Sequence, residues 1–420
     1  MLLYRLLISA LAPVLAARFA LRWLRGHEDG AALAARLGRV PEGGQGPSIW
    51  LHAASNGELA SVRPVIEALR AERPDLGWLV TTNSVTGRDL AAGWGLRAAV
   101  APLDLRWAAA RLLRARDVRL HLTVESELWP NRIAACAARG VPVAVAGARL
   151  SERSARAWRR LPRLARATLG RLAHVSPQDE DSGARLVVLG LDPARLGPVL
   201  DLKALYVPPD VRPDPALAEA YPRARTWLAA STHEGEEEAV IAAHLAARDA
   251  EPGLRLILAP RHPARAGAVA RLLDDAGLSV SRRSRGEAGA EVLLADTLGE
   301  MAQWYALAGR VFVGGSLVAR GGHTPYEPAA FGCALIHGPE VDNFRAAYAR
   351  LARAGATQCV ADAAALRHAL AALADPAAQS AAGAAAAQAL RPAAGLDGLL
   401  SALRPLLPPD RDRRALPTGY

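Results

Sequence analysis

Residues 48–58 read SIWLHAASNGE, a short apolar run followed at once by serine, asparagine and glycine. An apolar run of this length that leads into turn residues predicts a buried β-strand opening directly into a helix. We predict the strand over Ser48–Ala53 and the helix over Ser61–Arg70. Glu58 lies at the start of that helix, where unpaired backbone N–H groups and the helix dipole favour a carboxylate.

The same alternation of strand and helix signals runs along the rest of the chain in two series. The first series predicts a helix at Thr86–Trp94 and strands at Trp78–Thr82, Leu120–Val124 and Val141–Ala146. The second series predicts strands at Thr226–Ala230, Leu254–Ala259, Glu291–Ala295 and Arg310–Val313. Strands that alternate with helices at this spacing are typical of βαβ units and parallel sheets.

A proline-rich stretch at residues 206–222 separates the two series, and a length of 420 residues suits about two to three domains. We therefore predict an α/β fold with two Rossmann-like, doubly wound parallel-sheet domains. Because such sheets bind ligands beyond the carboxyl ends of their strands, we expect the site in a crevice between the domains. The predicted division is an N-terminal anchor at 1–25, domains at 26–205 and 226–400, a linker at 206–225 and a basic tail at 401–420.

The composition favours an anionic partner, since the net charge is +10 and the isoelectric point is near 10.3. Arginine is so abundant that Lys203 is the only lysine, and we attribute most of this excess to a drift in composition. Three widely spaced cysteines suit a reducing compartment and match no metal-binding spacing. With 51% apolar residues, the chain is neither disordered nor a disulfide-stapled miniprotein.

The N-terminal residues 1–24 read MLLYRLLISALAPVLAARFALRWL, and the apolar run between Arg5 and Arg18 is short for a spanning helix. The arginines that follow predict that the downstream chain stays on the cytoplasmic side. We interpret the segment as a membrane-surface or marginally spanning anchor of a cytosolic enzyme. A cleaved signal peptide and an amphipathic helix packed on the first domain are the alternatives.

Acidic residues follow two predicted strands of the first domain. Glu58 suits a general base and a helix-capping acid equally, and a base there needs burial to offset the helix N-terminus, which lowers a carboxylate pKa. Glu125 and Glu127, in VESELWPN, are predicted to point to one side of an extended segment and to bind sugar hydroxyls or support a neighbouring base. A solvated turn is the alternative for this pair.

Other candidate anion-binding groups also follow predicted strands. Arg149 and Arg261 each lie just after one, and their planar guanidinium groups suit phosphate or carboxylate, with solvated or capping roles as the alternatives. Ser231 and Thr232 offer hydroxyl and N–H groups where the second domain's first helix begins. The glutamates around His233 are ordinary partners of a helix N-terminus, so we predict no metal there.

Two glycine pairs near the end of the second series are the most specific signal. Their backbone amides are predicted to reach a phosphate, beside a helix that starts near Glu327. The Glu327 carboxylate suits both hydroxyls of a ribose. The candidate donor-binding residues of these segments are Gly314, Gly315, Ser316, Gly321, Gly322, His323 and Glu327.

Taken in order, these segments resemble the 3-deoxy-D-manno-octulosonic acid (Kdo) transferases of lipopolysaccharide assembly. The resemblance runs from about residue 49 to 372 and rests on HAASNGE, VESELWPN, ARLSERS, STHEGEE, PRHP, DTLGEM and GGSLVARGGHTPYEP. It implies a GT-B fold, an N-terminal membrane anchor on the cytoplasmic face of the inner membrane, and neither metal nor other cofactor.

The resemblance also implies the reaction, an inverting transfer of Kdo from CMP-Kdo to the 6′-hydroxyl of the lipid A precursor. It makes Glu58 the general base, Glu125 a second essential acid, and Arg261 and Glu327 part of the CMP side. The residues expected to bind or support the acceptor are Ser55, Gly57, Glu127, Arg149 and Lys203.

Two other functions fit parts of the sequence. Another GT-B enzyme with a UDP-sugar donor, a transferase or an epimerase, would share the fold and the glycine pairs. A non-catalytic basic protein would bind nucleic acid or anionic membrane without turnover, and it has no use for paired glycines beside Glu327. We therefore expect CMP-Kdo, a lipid A precursor and the inner-membrane surface as partners, and no nucleic acid.

Overall fold

The computed structural model describes residues 1–26, 28–41, 46–392 and 395–409. The chain divides into two compact units. Unit 1 comprises Met1–Leu205 with Pro392–Tyr420, and unit 2 comprises Tyr206–Arg391. Each unit is built around a parallel β-sheet, which confirms the predicted α/β fold class.

Strands and helices alternate in unit 1. Its strands are β1 (Pro47–His52), β2 (Gly77–Thr82), β3 (Arg97–Val100), β4 (Asp117–Val124), β5 (Val143–Ala148) and β6 (His174–Pro177). Its helices before residue 205 are α1 (Leu2–Leu24), α2 (Gly30–Arg36), α3 (Asn56–Glu72), α4 (Val85–Gly93), α5 (Arg106–Ala115), α6 (Pro130–Ala137), α7 (Glu152–Arg159), α8 (Pro162–Leu169) and α9 (Glu180–Val188).

The sheet of unit 1 has the strand order β3-β2-β1-β4-β5-β6. The direction of winding reverses between β1 and β4, so the loops that follow these two strands lie at the switch point where doubly wound sheets bind ligands. Every residue of β1 is buried because helices cover both faces, which is why its sequence is a continuous apolar run. The deciding stretch of sequence therefore forms the central strand of its sheet.

Unit 2 repeats the alternation. Its strands are β7 (Thr226–Thr232), β8 (Arg255–Pro260), β9 (Val280–Arg282), β10 (Val292–Leu294), β11 (Arg310–Val313), β12 (Ala334–His337) and β13 (Thr357–Cys359). Its helices are α10 (Pro215–Ala220), α11 (Glu237–Arg248), α12 (Ala266–Asp275), α13 (Met301–Leu307), α14 (Tyr326–Ala330), α15 (Arg345–Arg353), α16 (Ala363–Ala372) and α17 (Pro376–Leu390). The strand order is β13-β12-β11-β7-β8-β10-β9, with the switch point between β7 and β11.

The predicted linker is folded and belongs to unit 2. It contains α10, and the following Tyr221 is fully buried, with its hydroxyl donating to the carbonyl of Ala290 (3.1 Å). Pro215 starts α10, where the missing N–H costs nothing. Proline density alone could not distinguish this segment from a flexible connection.

The C-terminal boundary also differs from the predicted one at residue 400. Helix α18 (Leu396–Leu403) returns to unit 1, where Leu399, Leu400 and Leu403 join the core beside α3. Arg404 extends the contact through a salt bridge to Glu72 at the end of α3 (2.7 Å). Of the predicted basic tail, residues 410–420 lie outside the described residues.

One face of helix α1 packs against the rest of unit 1. Its half-buried residues recur at helical spacing along its whole length, at Tyr4, Ile8, Ala12, Leu15, Phe19 and Arg22. Near its start the Tyr4 hydroxyl donates to Asp104 Oδ2 (2.8 Å), and near its end Arg22 Nε donates to Glu28 Oε1 (3.1 Å). The packing on the first domain that we considered as an alternative is therefore present.

The other face of α1 is apolar and exposed. The segment Tyr4–Leu24 is long and apolar enough to cross a membrane. Its exposed face includes Leu6, Val14 and Leu24, which are between 59% and 71% exposed. A row of exposed apolar side chains of this length is typical of a surface that contacts a membrane or another protein.

We predict that ending the chain at Arg391 destabilises unit 1, because the buried leucines of α18 leave the core beside α3. The loss is expected to be about 5 kcal/mol or more, with a lower melting temperature in a thermal-denaturation experiment. A chain that ends at residue 409 retains α18 and serves as the matched control. Equal melting temperatures for the two truncations would contradict the placement of α18.

Candidate functional site

Glu58 lies beside the end of β1, at the start of α3. Ser55 is the N-cap of α3 and its Oγ accepts a hydrogen bond from Glu58 N (3.2 Å), while Glu58 Oε2 accepts one from Ala54 N (2.8 Å). This arrangement resembles a capping box, except that the Glu58 carboxylate accepts from the residue before the N-cap and not from the N-cap N–H itself. Glu58 thus has the capping role that we considered, and its protonation decides whether it can have a second one.

The pKa of Glu58 is raised to about 7. Burial is the largest cause, and the hydrogen bond from Ala54 opposes it, while the negative charges of Glu125 and Glu127 raise the pKa further. A carboxylate with this pKa changes protonation near neutral pH, as a general base must. The burial that a base at a helix N-terminus requires is therefore present.

Glu127 is held as a carboxylate by two hydrogen-bond donors. Its Oε2 lies 3.1 Å from Nε2 of the buried His52 and also accepts a hydrogen bond from Trp129 Nε1. Burial opposes ionisation, but these donors and the nearby Arg132 outweigh it and lower the Glu127 pKa to about 2. The pKa of His52 is lowered to about 4 by burial and by Arg132, so this imidazole is neutral, and in the tautomer with its proton on Nε2 it donates to Glu127.

Glu125 pairs with the only lysine in the sequence. Lys203 Nζ lies 3.0 Å from Glu125 Oε1, and Lys203 belongs to the short 3₁₀ turn Leu202–Leu205 that packs against α3. Sequence reasoning placed both residues in the site, and the structure brings them into direct contact. Their catalytic and acceptor-binding roles stay predictions.

The expectation that Glu125 and Glu127 extend from one side of a straight segment is wrong. β4 ends at Val124, and Glu125 has a φ of 51°, in the left-handed region, so the chain turns sharply there. The two carboxylates consequently find different partners, Lys203 and His52. Both still act electrostatically on Glu58.

Arg149 and Gly57 also lie beyond strand ends at this edge of the sheet. Arg149 follows β5 and is half-buried, and its carbonyl accepts a hydrogen bond from Ser126 Oγ (2.9 Å). A Cβ on Gly57 would have Ser55 Oγ, at 3.9 Å, as its nearest neighbour outside the α3 backbone among the described residues. Space for a ligand above the start of α3 is therefore compatible with the prediction for Gly57.

In unit 2 the carboxylate of Glu236 fills a cradle of backbone amides. Its Oε1 accepts hydrogen bonds from Ser316 N and Leu317 N (both 2.9 Å), and its Oε2 accepts from Gly315 N (2.7 Å) and His233 N (2.9 Å). Glu236 is fully buried. This carboxylate ties the loop after β7 to the loop after β11, across the switch point of the sheet.

The prediction that the first glycine pair offers its amides to a phosphate is therefore corrected. The amides of Gly315 and Ser316 bind Glu236, and Gly314 N donates to the carbonyl of Ala230 (2.8 Å). A Cβ on Gly314 would lie 2.7 Å from the carbonyl oxygen of Ser231, so glycine is required there by the close approach of β7. That these residues lie near the bound sugar donor stays a prediction, but their backbone amides are not available to bind its phosphate.

The second glycine pair also has an internal explanation. Gly321 and Gly322 have φ of 78° and 70°, and a Cβ on either would lie 2.8 Å from Asn343 or from the carbonyl of Glu340. Gly322 N donates to the carbonyl of Gly315 (2.7 Å), which closes the loop on the first pair. Both pairs therefore shape the loop that carries His323.

Three histidines converge beside these loops. His233 and His323 stack with ring centroids 5.1 Å apart and their Nε2 atoms at 2.9 Å, and His262 meets His233 edge-on at 5.8 Å. Burial is the main cause that lowers the pKa of His323 to about 4 and also lowers the pKa of His233. The positive charges of Arg261 and Arg320 contribute to the effect on His233.

This histidine–arginine cluster, formed by His233, His262, His323, Arg261 and Arg320, suits an anion. The imidazoles of His233 and His323, whose pKa values are lowered, are mainly neutral and can donate hydrogen bonds, and the guanidinium groups supply the positive charge. Arg261 and His323 were predicted from the sequence, whereas the other members were missed. The signal existed for the histidines, which lie inside STHEGEE and PRHP, but Arg320 is one of many arginines.

The remaining predicted donor residues lie in the same unit. Ser231, the second-last residue of β7, has a φ of 58°, and the buried Thr232 donates its hydroxyl to Glu237 Oε1 (3.1 Å). Glu327 lies in the first turn of α14, and burial raises its pKa. No group of three histidine, cysteine, aspartate or glutamate side chains in the described parts of the chain is arranged to hold a metal ion.

The fold defines the class of protein. UDP-GlcNAc 2-epimerase from Neisseria meningitidis, solved with UDP-GlcNAc, has a TM-score of 0.60 at 13% identity and covers 86% of this chain and 100% of that one. MurG from Acinetobacter baumannii has a TM-score of 0.53 at 15% identity, with 86% and 99% covered. At these identities the likeness concerns the fold alone, and it confirms the GT-B fold.

Sequence comparison defines the family. A family model described as 3-deoxy-D-manno-octulosonic-acid transferase (kdotransferase) matches residues 31–205. The transferase of that name from Bordetella pertussis is 37% identical over 403 residues, covering 90% of this chain and 92% of that protein. The one from Haemophilus influenzae is 34% identical over 310 residues, covering 70% and 71%. The chain belongs to the Kdo transferases, glycosyltransferases of lipopolysaccharide biosynthesis, which confirms the resemblance.

We predict that Glu236→Ala destabilises unit 2 by about 3 kcal/mol, because four buried N–H groups lose their acceptor. Thermal denaturation with intrinsic fluorescence measures the change. Glu238→Ala removes an exposed glutamate from the first turn of α11 and is the matched control. If both variants have the melting temperature of the wild type, the cradle does not hold the two loops together.

Proposed function

We propose that this chain transfers Kdo from CMP-Kdo to the 6′-hydroxyl of a lipid A precursor with inversion at the anomeric carbon. The observation that carries the proposal is Glu58, a half-buried acid at the switch point of unit 1 with a pKa near 7. Membership of the Kdo transferase family supports the sugar that is transferred.

Glu58 acts as the general base in a single displacement. It takes the proton of the acceptor hydroxyl while that oxygen forms the new bond to the anomeric carbon of Kdo. Glu127 stays ionised and Glu125 stays paired with Lys203, so both keep the pKa of Glu58 high enough for proton transfer at neutral pH. Arg149, half-buried at the same edge of the sheet, is proposed to bind the acceptor.

CMP leaves with the electrons of the broken bond, and negative charge grows on its phosphate. In unit 2, Arg261 and the histidines of the histidine–arginine cluster are proposed to meet that charge with fixed hydrogen-bond donors. A donor with a phosphate and a carboxylate fits a cluster that contains two arginines. Glu327 is proposed to accept from the ribose hydroxyls.

We also propose that α1 lies on the cytoplasmic face of the inner membrane rather than crossing it. The helix contacts unit 1 through Tyr4, whose hydroxyl donates to Asp104, and through Phe19, whose ring lies under the Arg36 guanidinium, and these contacts favour a helix that stays seated on the domain. Its opposite face is apolar and exposed, and Arg18 and Arg25 suit anionic headgroups.

Incubation with CMP-Kdo generated in situ and a lipid A precursor, followed by mass analysis of the product, tests the reaction. We expect a product heavier by Kdo, and a loss of about 10²-fold or more in kcat for Glu58→Gln. The kcat/KM of the wild type should fall as the pH drops below about 7, because Glu58 becomes protonated.

Glu67→Gln, an exposed glutamate on the same helix that pairs with Arg63, is the matched control and should keep wild-type rates. CMP, and not UDP, should raise the melting temperature of both variants. Near-normal transfer by a folded Glu58→Gln variant would remove Glu58 from its role, and a shift with UDP alone would favour an enzyme with a UDP-sugar donor.

The placement of α1 is tested by labelling a cysteine inserted after Met1 and the substitution Arg25→Cys, which flank the apolar face, each in a Cys359→Ser background. The protein is bound to the outside of vesicles that contain anionic lipid and treated with a membrane-impermeant maleimide. We expect both positions to react, since a helix on the surface keeps both ends on one side. Protection of one position until detergent is added would show that α1 spans the bilayer.

A further inference from the structure

Asp104 connects α1 to the start of α6. It is a buried residue of the loop before α5, and its carboxylate accepts hydrogen bonds from Asn131 N (3.0 Å) and Arg132 N (2.8 Å). The same carboxylate accepts a hydrogen bond from the Tyr4 hydroxyl of α1 (2.8 Å). Asp104 therefore caps α6 from another part of the chain and fixes the N-terminal turn of α1 to that cap.

Asp104 is also a counter-charge for a buried arginine. Arg132 is 2% exposed, and its Nη2 donates to the carbonyl of Pro102 (3.3 Å) in the loop that holds Asp104. Its Nε and Nη1 have no hydrogen-bond partner among the described residues. A buried guanidinium depends on nearby carboxylates, and Asp104 and Glu127 are the two that act on Arg132.

Arg132 lies near Glu127, one of the acids of the candidate site. Its guanidinium carbon is 5.4 Å from the centre of the Trp50 ring and 5.9 Å from that of Trp129. Trp129 in turn donates to Glu127, the acid that His52 holds. Tyr4 is therefore connected to Glu127 in three steps: a hydrogen bond to Asp104, the attraction between Asp104 and Arg132, and the attraction between Arg132 and Glu127.

We propose that Asp104 is a positioning residue for Kdo transfer, which couples the seating of α1 on unit 1 to the placement of Arg132 and Glu127. The inference rests on the proposed role of Glu58. When α1 is seated, Tyr4 completes the set of donors to Asp104, α6 is fixed at its first turn, and Arg132 and Glu127 are held in place.

The test compares D104N and Y4F with the full-length wild type on vesicles that contain the lipid acceptor. D104N keeps the shape but removes a charge, which leaves Glu127 as the carboxylate that must neutralise Arg132 and draws Glu127 towards that guanidinium. Because the charge of Glu127 raises the pKa of Glu58, this displacement favours the ionised form of Glu58. We expect kcat to fall about tenfold and the acidic limb of the pH profile to move to lower pH. Y4F removes one hydrogen bond and should lower kcat about threefold.

In both variants the KM for CMP-Kdo and the melting shift caused by CMP should match the wild type, because the donor-binding unit is unchanged. Asp117→Asn neutralises an exposed aspartate of unit 1 that pairs with Arg119, and it should behave as the wild type. A folded D104N variant with an unmoved acidic limb would overturn the proposal. If D104N does not fold, wild-type kcat in Y4F would overturn it.

The activity of Glu58→Gln distinguishes a failure of the proposed role of Glu58 from a failure of the coupling through Asp104. If that variant transfers Kdo normally, the proposed role of Glu58 fails, whatever Asp104 does. If it is inactive while D104N and Y4F resemble the wild type, the coupling through Asp104 alone fails.

Discussion

Both candidate sites depend on a carboxylate placed where the first strand of a parallel sheet turns into its helix. Glu236 in unit 2 accepts four backbone hydrogen bonds and is fully buried, so it is a structural anion. Glu58 in unit 1 accepts one such bond at 2.8 Å and has two acidic neighbours that act on it. The number of donors to each acid therefore separates a structural carboxylate from a reactive one.

Each acidic neighbour of Glu58 has a partner of its own, Lys203 for Glu125 and His52 with Trp129 for Glu127. Glu127 has a pKa near 2 because His52 and Trp129 donate to it against the effect of burial. Arg132 remains buried near it, and Asp104 shares the neutralisation of that arginine. Since each of these groups has an opposite partner, the negative charge near Glu58 persists, and together with burial it disfavours a further charge on Glu58 and raises the pKa of that acid to about 7.

Strong local patterns in the sequence predicted the parallel sheets and the residues at their strand ends, but not the partners of those residues. The run 48–53 is apolar, short and followed by turn residues, so the strand and the position of Glu58 after it were predictable. Strand β13 (Thr357–Cys359) was missed because it is short and polar at the sheet edge, and edge position leaves little periodicity in a sequence. The occupant of the glycine amides was not predictable either, because Glu236 and Gly315 are far apart in sequence and meet through the fold alone.

Lys203 shows how a contact explains what composition cannot. In a chain where lysine has otherwise been replaced by arginine, chance survival and function were equally compatible with this residue. Its ammonium lies 3.0 Å from Glu125, whose backbone is fixed in the left-handed region, and both side chains are largely buried. A compact ammonium fits one carboxylate oxygen in a confined space, whereas the longer planar guanidinium needs room for a two-point contact. The geometry thus favours lysine over arginine here and connects this residue to the acids that act on Glu58.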